Sequence, residues 1–466
     1  MSDSAIPKKK GLGTVLQDIL LEIIEEAFKI FTAIRPGEWL KTLLLTLNIF
    51  LLLLAYYLIK PVREALLLVD KDAPRIKSYL SGAQAFLLVF VILAFSFLAS
   101  KVPRHKLITW VTLFFISNLV VFYTLHLRGL GAGAMGIVFF IWIGIFNLLV
   151  VAQFWGFAND LYSYEAGKRV FPLIAFGATL GAVVGSRIAK LVIEPLGVYN
   201  MMLLSAGLLG GCILLAVFIH NREARPARQE GRQGLKHYAE PLKPGDGFSL
   251  VVKTRYLFYI AMAIMVYNFI NTMGEYIISD VATRAGLAAV AQGKVESMGI
   301  FIGKFFSDYQ FLANILALVI QFFLVSHIFR WLGVGGALFV LPFIALGGYA
   351  FISLGATLLL VKWVKSLENG TDYSLMNTTK AALFLITPRE EKYKAKAAID
   401  TFFVRGGDAL AALAVFVGTT FLAMKIEKFA ILNIAFVLVW LFLAYLIMRQ
   451  YKLKKAQSAV VQDSKK

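Results

Sequence analysis

"WLKTLLLTLNIFLLLLAYYLIKPVREALLLV", residues 39–69, decides the fold. From Thr42 to Ile59 no charged side chain interrupts the apolar run, which approaches the roughly 20 residues a helix needs to cross a bilayer. Charge then arrives abruptly as Lys60, Arg63 and Glu64, around Pro61. If the helix continues past Pro61, these three side chains fall at i, i+3 and i+4 on one face. Glu64 can then neutralise Lys60 and leave Arg63 for an anion, or the group can snorkel to an interface.

The rest of the chain repeats the apolar theme. In 466 residues, 59% are hydrophobic, 16% are charged and 39 are phenylalanines. The mean hydropathy is +0.74. Such a composition lies outside that of soluble domains and makes the chain a polytopic membrane protein. "MSDSAIPKKKGLG" lacks the apolar core and cleavage site of a secretory signal, so the N-terminus reads as part of the mature protein. The one cysteine, Cys212, forms no intrachain pair and reads as a small packing residue.

The order of segments is all-α, with about twelve spans in two halves. Residues 1–35 carry an amphipathic helix over 13–34 that lies at the interface. An N-terminal half over 36–220 holds spans near 39–60, 81–100, 107–127, 134–157, 170–193 and 199–220. The polar stretch 221–247 reads as a flexible connector. A C-terminal half over 248–450 holds spans near 257–279, 305–327, 331–352, 354–385, 397–424 and 428–448, and 451–466 form a basic tail. The tenth span is expected to break near Asn369-Gly370.

The net charge of +19 is explained by Lys and Arg in cytoplasmic loops, without nucleic acid. With both termini in the cytoplasm the basic loops fall on that side. "IKPVREALLLVDKDAPRIK", on the other side, dissents. "FLASKVPRHKLITW" and "FLVSHIFRWLGVGG" occupy equivalent places in the two halves, a sign of internal repetition, and alternating-access carriers built from such repeats bind substrate between them.

Ionisable groups at bilayer depth cost roughly 2.5–3.5 kcal/mol each, so they face a wet cavity or a partner. On the seventh span Asn268, Asn271, Thr272 and Glu275 form a polar stripe that either lines a cavity or glues helices together. On the tenth, Lys365, Glu368 and Asp372 recur at helical spacing, where Lys365–Glu368 pairing is either part of the pathway or purely structural. On the eleventh, Arg405 and Asp408 can pair at i, i+3, after Lys392, Lys394 and Lys396 at the helix mouth. Lys and Arg donate charge-assisted hydrogen bonds to phosphate oxygens, but these lysines equally suit topological anchoring. The histidines have no metal-ligand spacing, "GLGAGAMG" lacks the context of a phosphate loop, and no nucleophile motif appears, so neither metal nor cofactor is expected.

"FWGFAND" (154–160), "EAGKRVFPLIAFGATLGAVVGSR" (165–187), "DYSLMNTTK" (372–380) and "KYKAKAAID" (392–400) resemble signature blocks of the ATP/ADP translocases of plastids and intracellular bacteria. The resemblance implies a major-facilitator-like carrier, a multi-pass protein of the bacterial inner membrane, that exchanges nucleotides without hydrolysing them. It further implies that a functional lysine of the first helix falls on Arg63, an acid of the seventh helix on Glu275, and the lysine of "GKAAID" on Lys396. A glutamate of the fourth helix falls instead on Ile143, with Asn147 one turn later.

These readings lead to a nucleotide antiporter, most plainly of the ATP/ADP type and monomeric. Arg63 and Lys396 would contact phosphates, Lys380 and Arg405 would add positive potential, and Glu275, Asn271 and Asn147 would complete the binding site. Lys60, Glu64, Lys365, Glu368 and Asp408 would pair and gate. The alternatives are an ion- or proton-coupled carrier of another anionic metabolite, or a non-transporting scaffold or sensor; enzymatic function has less support than either.

Overall fold

The computed structural model describes residues 38–129, 131–162, 164–229, 244–387 and 394–463. The helix expected over 13–34, the middle of the connector and Lys392 lie outside the described residues.

Among the described residues nine helices are long and apolar enough to cross a membrane. The N-terminal half contains α1 (Trp39–Leu67), α2 (Ala73–Lys101), α3 (Arg104–Leu127) and α4 (Ala132–Leu161). Tyr164–Gln229 then folds back at Gly197, whose φ of 78° suits glycine, into α5 before the bend and α6 after it. A short helix, Pro244–Lys253, leads to α7 (Arg255–Ala291). Next come α8, which begins as Met298–Val319 and bends at Gly333, and α9 (Val340–Leu354). The tenth span, α10, is Leu358–Thr371 continued through a π turn, Asp372–Met376, into Asn377–Leu383. The last two are α11, from Lys396–Ala398 through a π turn into Val404–Thr420, and α12 (Ile426–Asp463). Counted this way the described residues form twelve spans.

Several boundaries differ from expectation. The connector and tail are partly helical, since α6 runs to Gln229 and α12 to Asp463. The tenth span does not unwind at Asn369-Gly370. Gly370 packs there against α8, where a Cβ would lie 2.8 Å from that of Leu316, and the irregularity is the π turn that follows. Pro61 sits inside α1, as continuation of that helix requires. Having no N–H, it leaves the carbonyl of Tyr57 without its helical donor, a loss tolerated where a polar cavity adjoins.

The "FGATLGAVVG" block has a steric cause. Gly177, Gly181 and Gly185 form one stripe on α5 against the α1 backbone, where an added Cβ would lie 2.8 Å from the Thr46 oxygen, 2.3 Å from that of Phe50 and 2.8 Å from that of Leu54. Small residues at this spacing let membrane helices approach closely. Asn48 Nδ2 and Ser205 Oγ add bonds from α1 and α6 to the Cys212 and Ala55 carbonyls, at 2.7 and 3.1 Å.

Among the described residues two large apolar cores result, beside a small cluster of Ile320, Val325, Ala337 and Leu375. One is built wholly from residues between Leu45 and Ile219, the other from residues between Val251 and Ile447 with Leu68 and Ala73 added. Outside them, large side chains such as Trp110 (72% exposed) and Trp331 (75%) face outward in numbers that water would not tolerate, as expected of a surface that meets lipid.

The halves touch mainly toward the end opposite that at which α1 begins and α12 finishes. There Lys190 of α5 reaches Asp308 of α8 at 2.6 Å, Lys304 of α8 pairs with Glu194 of α5, and Ile193 fills the space beside Gly303. On the other seam Gly82 of α2 abuts Ala412 of α11, and Tyr79 meets Thr419. Below this sealed end the two halves enclose a cavity.

Candidate functional site

The cavity has a volume of about 220 Å³. Its walls come from both halves: α1 gives Tyr57, Lys60, Arg63 and Glu64; α2 gives Lys77, Ser81 and Gln84; α4 gives Phe140. From the other half come Asn271, Thr272 and Glu275 of α7, Phe306, Tyr309 and Asn314 of α8, Asn369 and Tyr373 of α10, and Arg405 and Asp408 of α11. Tyr373 and Arg405, on the side toward the termini, are 41% and 33% exposed, so the cavity opens that way.

Among the described residues, the charge in this space is paired except at Lys60. Arg63 donates from Nε to Glu64 Oε1 at 2.9 Å, and its guanidinium covers the Phe140 ring at 4.9 Å. Lys77 Nζ lies 2.8 Å from Glu64 Oε2 and 3.7 Å from Glu275 Oε2. Arg405 Nη1 reaches Asp408 at 3.2 Å, and the Thr272 hydroxyl donates to the same carboxylate at 2.7 Å. Glu64 therefore does not neutralise Lys60. A nearly buried Lys77 without a counter-ion would be far costlier than a Lys60 beside water, so the carboxylate turns to α2. Among the described residues Lys60 has no carboxylate within ion-pair distance, and its ammonium sits 5.0 Å from the centre of the Tyr57 ring.

Behind the α7 wall lies a second, dry cluster. Lys365, with no exposed side-chain surface, donates to Glu368 at 3.0 Å and to Asn271 at 3.1 Å, and Tyr349 donates to the same Glu368 oxygen at 3.0 Å. Nearer the cavity Tyr309 donates to Glu275 at 2.8 Å, and Asn369 donates to Tyr309 at 2.6 Å. The stripe on α7 thus divides: Asn271, Thr272 and Glu275 line the cavity, whereas Asn268 bonds its own helix at Ile264.

Of the residues anticipated from sequence, Lys60, Arg63, Glu64, Asn271, Glu275, Arg405 and Asp408 meet in this cavity. Others lie elsewhere. Lys380 pairs with Asp372 at 3.1 Å and covers the Tyr267 ring within the C-terminal half. Lys396 is exposed in the first turn of α11, on the side of the termini. Ile143 is fully buried in the N-terminal core. Asn147 is exposed, and at 100° per residue it shares a face of α4 with Phe140 and Gly144.

Sequence reading missed Lys77, Gln84, Tyr309, Asn314 and Tyr373. Lys77 had a signal: Asp72 and Pro74 mark a helix start, which places Lys77 inside α2. By sequence alone it falls among the loop charges of the segment that dissents from the topology. That dissent now has a physical reason, because Lys60, Arg63 and Lys77 face the cavity. No local pattern marks Tyr309 or Tyr373 among so many aromatics.

Comparison with known proteins bears on the family. Residues 135–451 match the model of the TLC ATP/ADP transporter family. ADP,ATP carrier protein 1 of Chlamydia pneumoniae is 23% identical over 303 residues, 57% of this chain and 57% of that relative. The match to its counterpart in Chlamydia trachomatis, at 22% identity, likewise spans little more than half, 54%, of that protein. ADP,ATP carrier protein 2 of Chlamydia pneumoniae is 22% identical over 508 residues, 91% of each chain. Among solved structures, the nucleoside transporter NupG is similar with a TM-score of 0.59 at 14% identity, over 88% of this chain and 99% of that one. A bacterial homologue of the human lysosomal transporter Spinster, in an inward-facing and unoccupied conformation, gives 0.58 at 12% identity, over 91% and 99%. The fold is all-α and major-facilitator-like, and the protein is a multi-pass membrane protein. With more than half of its length matched by one family model, the chain belongs to the TLC ATP/ADP transporter family.

Proposed function

We propose that the protein is a nucleotide antiporter of the ATP/ADP type that works by alternating access. The observation that carries this reading is Lys60, a cation without an acid partner among the described residues, set against the Tyr57 ring in a cavity between two halves of a chain of this family. Phosphate oxygens would complete Lys60, Arg63 and Arg405, and a flat base would find Tyr57 and Tyr373. Lys396 would act at the entrance, and Lys380 would act at most through the field it adds from within its own half. Asn271 and Glu275 would orient the phosphate-binding cations, and Asn147 would line the path in.

The lysine- and arginine-rich helix ends support cytoplasmic termini, which makes the present state inward-open, in a bacterial inner membrane. The carrier works as a monomer, takes no cofactor, and moves nucleotide without hydrolysis. Exchange of labelled ATP and ADP in proteoliposomes tests this. The Lys60→Gln protein is expected to bind nucleotide roughly tenfold more weakly, the scale of one charge-assisted contact. Undiminished exchange by both Lys60→Gln and Arg63→Gln would refute the site.

A second reading, a carrier of another anionic metabolite coupled to an ion through Glu275, is favoured by Ile143, since a core residue stands where transporting relatives were expected to carry an acid. Thermal stabilisation by phosphorylated non-nucleotides, with none by nucleotides, would select it.

A further inference from the structure

Lys77 is not needed to explain why an anion binds, yet it is the most deeply held cation of the cavity. It is 5% exposed, it comes from α2 of the N-terminal half, and most of its neighbours come from the other half. Its Nζ donates to the Ser279 hydroxyl of α7 at 2.9 Å, lies 3.7 Å from Glu275, and covers the Phe306 ring of α8 at 5.1 Å. In its own half its ion-pair partner among the described residues is Glu64, which Arg63 already shares.

We propose that Lys77 couples occupancy of the cavity to opening of the sealed end, so that the protein exchanges anions instead of leaking them. The proposal rests on the anion-carrier reading above. Opening that end moves α2 away from α7 and α8. Lys77 then loses Ser279, Glu275 and Phe306 together, and two cations are left to share one carboxylate, Glu64. A phosphorylated anion in the cavity supplies new acceptors to Lys77, so the loaded carrier crosses at little cost. The empty carrier has nothing to offer in exchange. Breaking one such buried charge pair without compensation slows a transition by roughly thirtyfold or more. The latch and the ligand thus compete for the same ammonium group, and the residue acts by positioning the halves.

Two measurements test this. The first needs no substrate. In a Cys212→Ala background, Ser307→Cys places a thiol on the α8 face that carries Gly303 and Asn314, the face packed against α5, where Ser307 is fully buried. An impermeant maleimide applied from the side opposite the termini should label it slowly in ligand-free membranes. Labelling should rise roughly tenfold with Lys77→Gln, rise less with Ser279→Ala, and stay low with Lys77→Arg. Ser279→Ala removes one hydroxyl only and serves if Lys77→Gln does not fold. Unchanged labelling in the folded variants overturns the latch.

The second measurement compares efflux of labelled ADP from proteoliposomes into buffer with and without external nucleotide. Wild type should require external nucleotide, and Lys77→Gln should release ADP without it, at a rate raised at least about fivefold relative to exchange. A variant that still requires counter-nucleotide overturns the coupling even if labelling rises. If wild type moves no nucleotide at all, the functional reading fails, and the labelling experiment alone decides the latch.

Discussion

Lys190 of α5 lies 2.6 Å from Asp308 of α8, across the seam between the halves, and the other oxygen of the same carboxylate holds Lys362 of α10 at 2.8 Å. One acid therefore ties three helices at the sealed end. All three side chains are partly exposed, so each pair is worth no more than about 1 kcal/mol. Asp308→Asn should leave the fold intact and shift the balance toward the opposite opening by roughly fivefold. Inter-half distance distributions from spin labels would report it, and distributions identical to wild type would show that the triad holds nothing.

Lys365 and Glu368 make the opposite case. Both are fully buried; Tyr349 donates to the Glu368 oxygen that Lys365 holds and Asn271 accepts from Lys365, while the other oxygen, Glu368 Oε1, has no hydrogen-bond partner among the described residues. Lys365→Met alone strands a charge and should destabilise the protein by about 3–5 kcal/mol, whereas Lys365→Met with Glu368→Leu should recover most of it. Thermal unfolding in detergent separates the two. A double variant as unstable as the single would mean that the pair contributes more than mutual neutralisation.

Gly181 tests the packing of α5 on α1. Gly181→Ala puts a methyl group 2.3 Å from the Phe50 carbonyl oxygen and should cost about 1–3 kcal/mol. Gly207→Ala, where an added Cβ meets nothing within 4 Å, should be neutral or stabilising by up to about 1 kcal/mol. The comparison is between two melting temperatures, and equal values would refute the close-approach argument.

Ile143 and Asn147 can be told apart by inserting the acid that this sequence lacks. Ile143→Glu buries a carboxylate in an apolar core and should lower stability by several kcal/mol, about 3 or more. Asn147→Glu, on the face shared with Phe140, should fold normally and change anion preference. Expression and monodisperse elution read the first expectation, and competition by a panel of nucleotides reads the second. A well-folded Ile143→Glu protein would mean that this face of α4 reaches water.

What the sequence determined by itself was the part governed by length and period. Apolar runs of bilayer length, interrupted by turn residues, left about twelve helices as the arrangement able to satisfy every backbone group in lipid. Charges spaced at three and four along one helix were legible too, which is why Arg405–Asp408 and Lys365–Glu368 could be paired on paper. Pairing between helices was not legible, because it depends on which helices adjoin. Glu64 had Lys60 one turn away along the chain, but the turn from α1 into α2 brought Lys77 to 2.8 Å and left Lys60 open. Only the tertiary structure decided that, since a carboxylate goes to the partner whose burial would otherwise cost most. The same packing put Lys380 among the side chains of its own half and Ile143 in a core, and it joined residues from seven helices around one cavity.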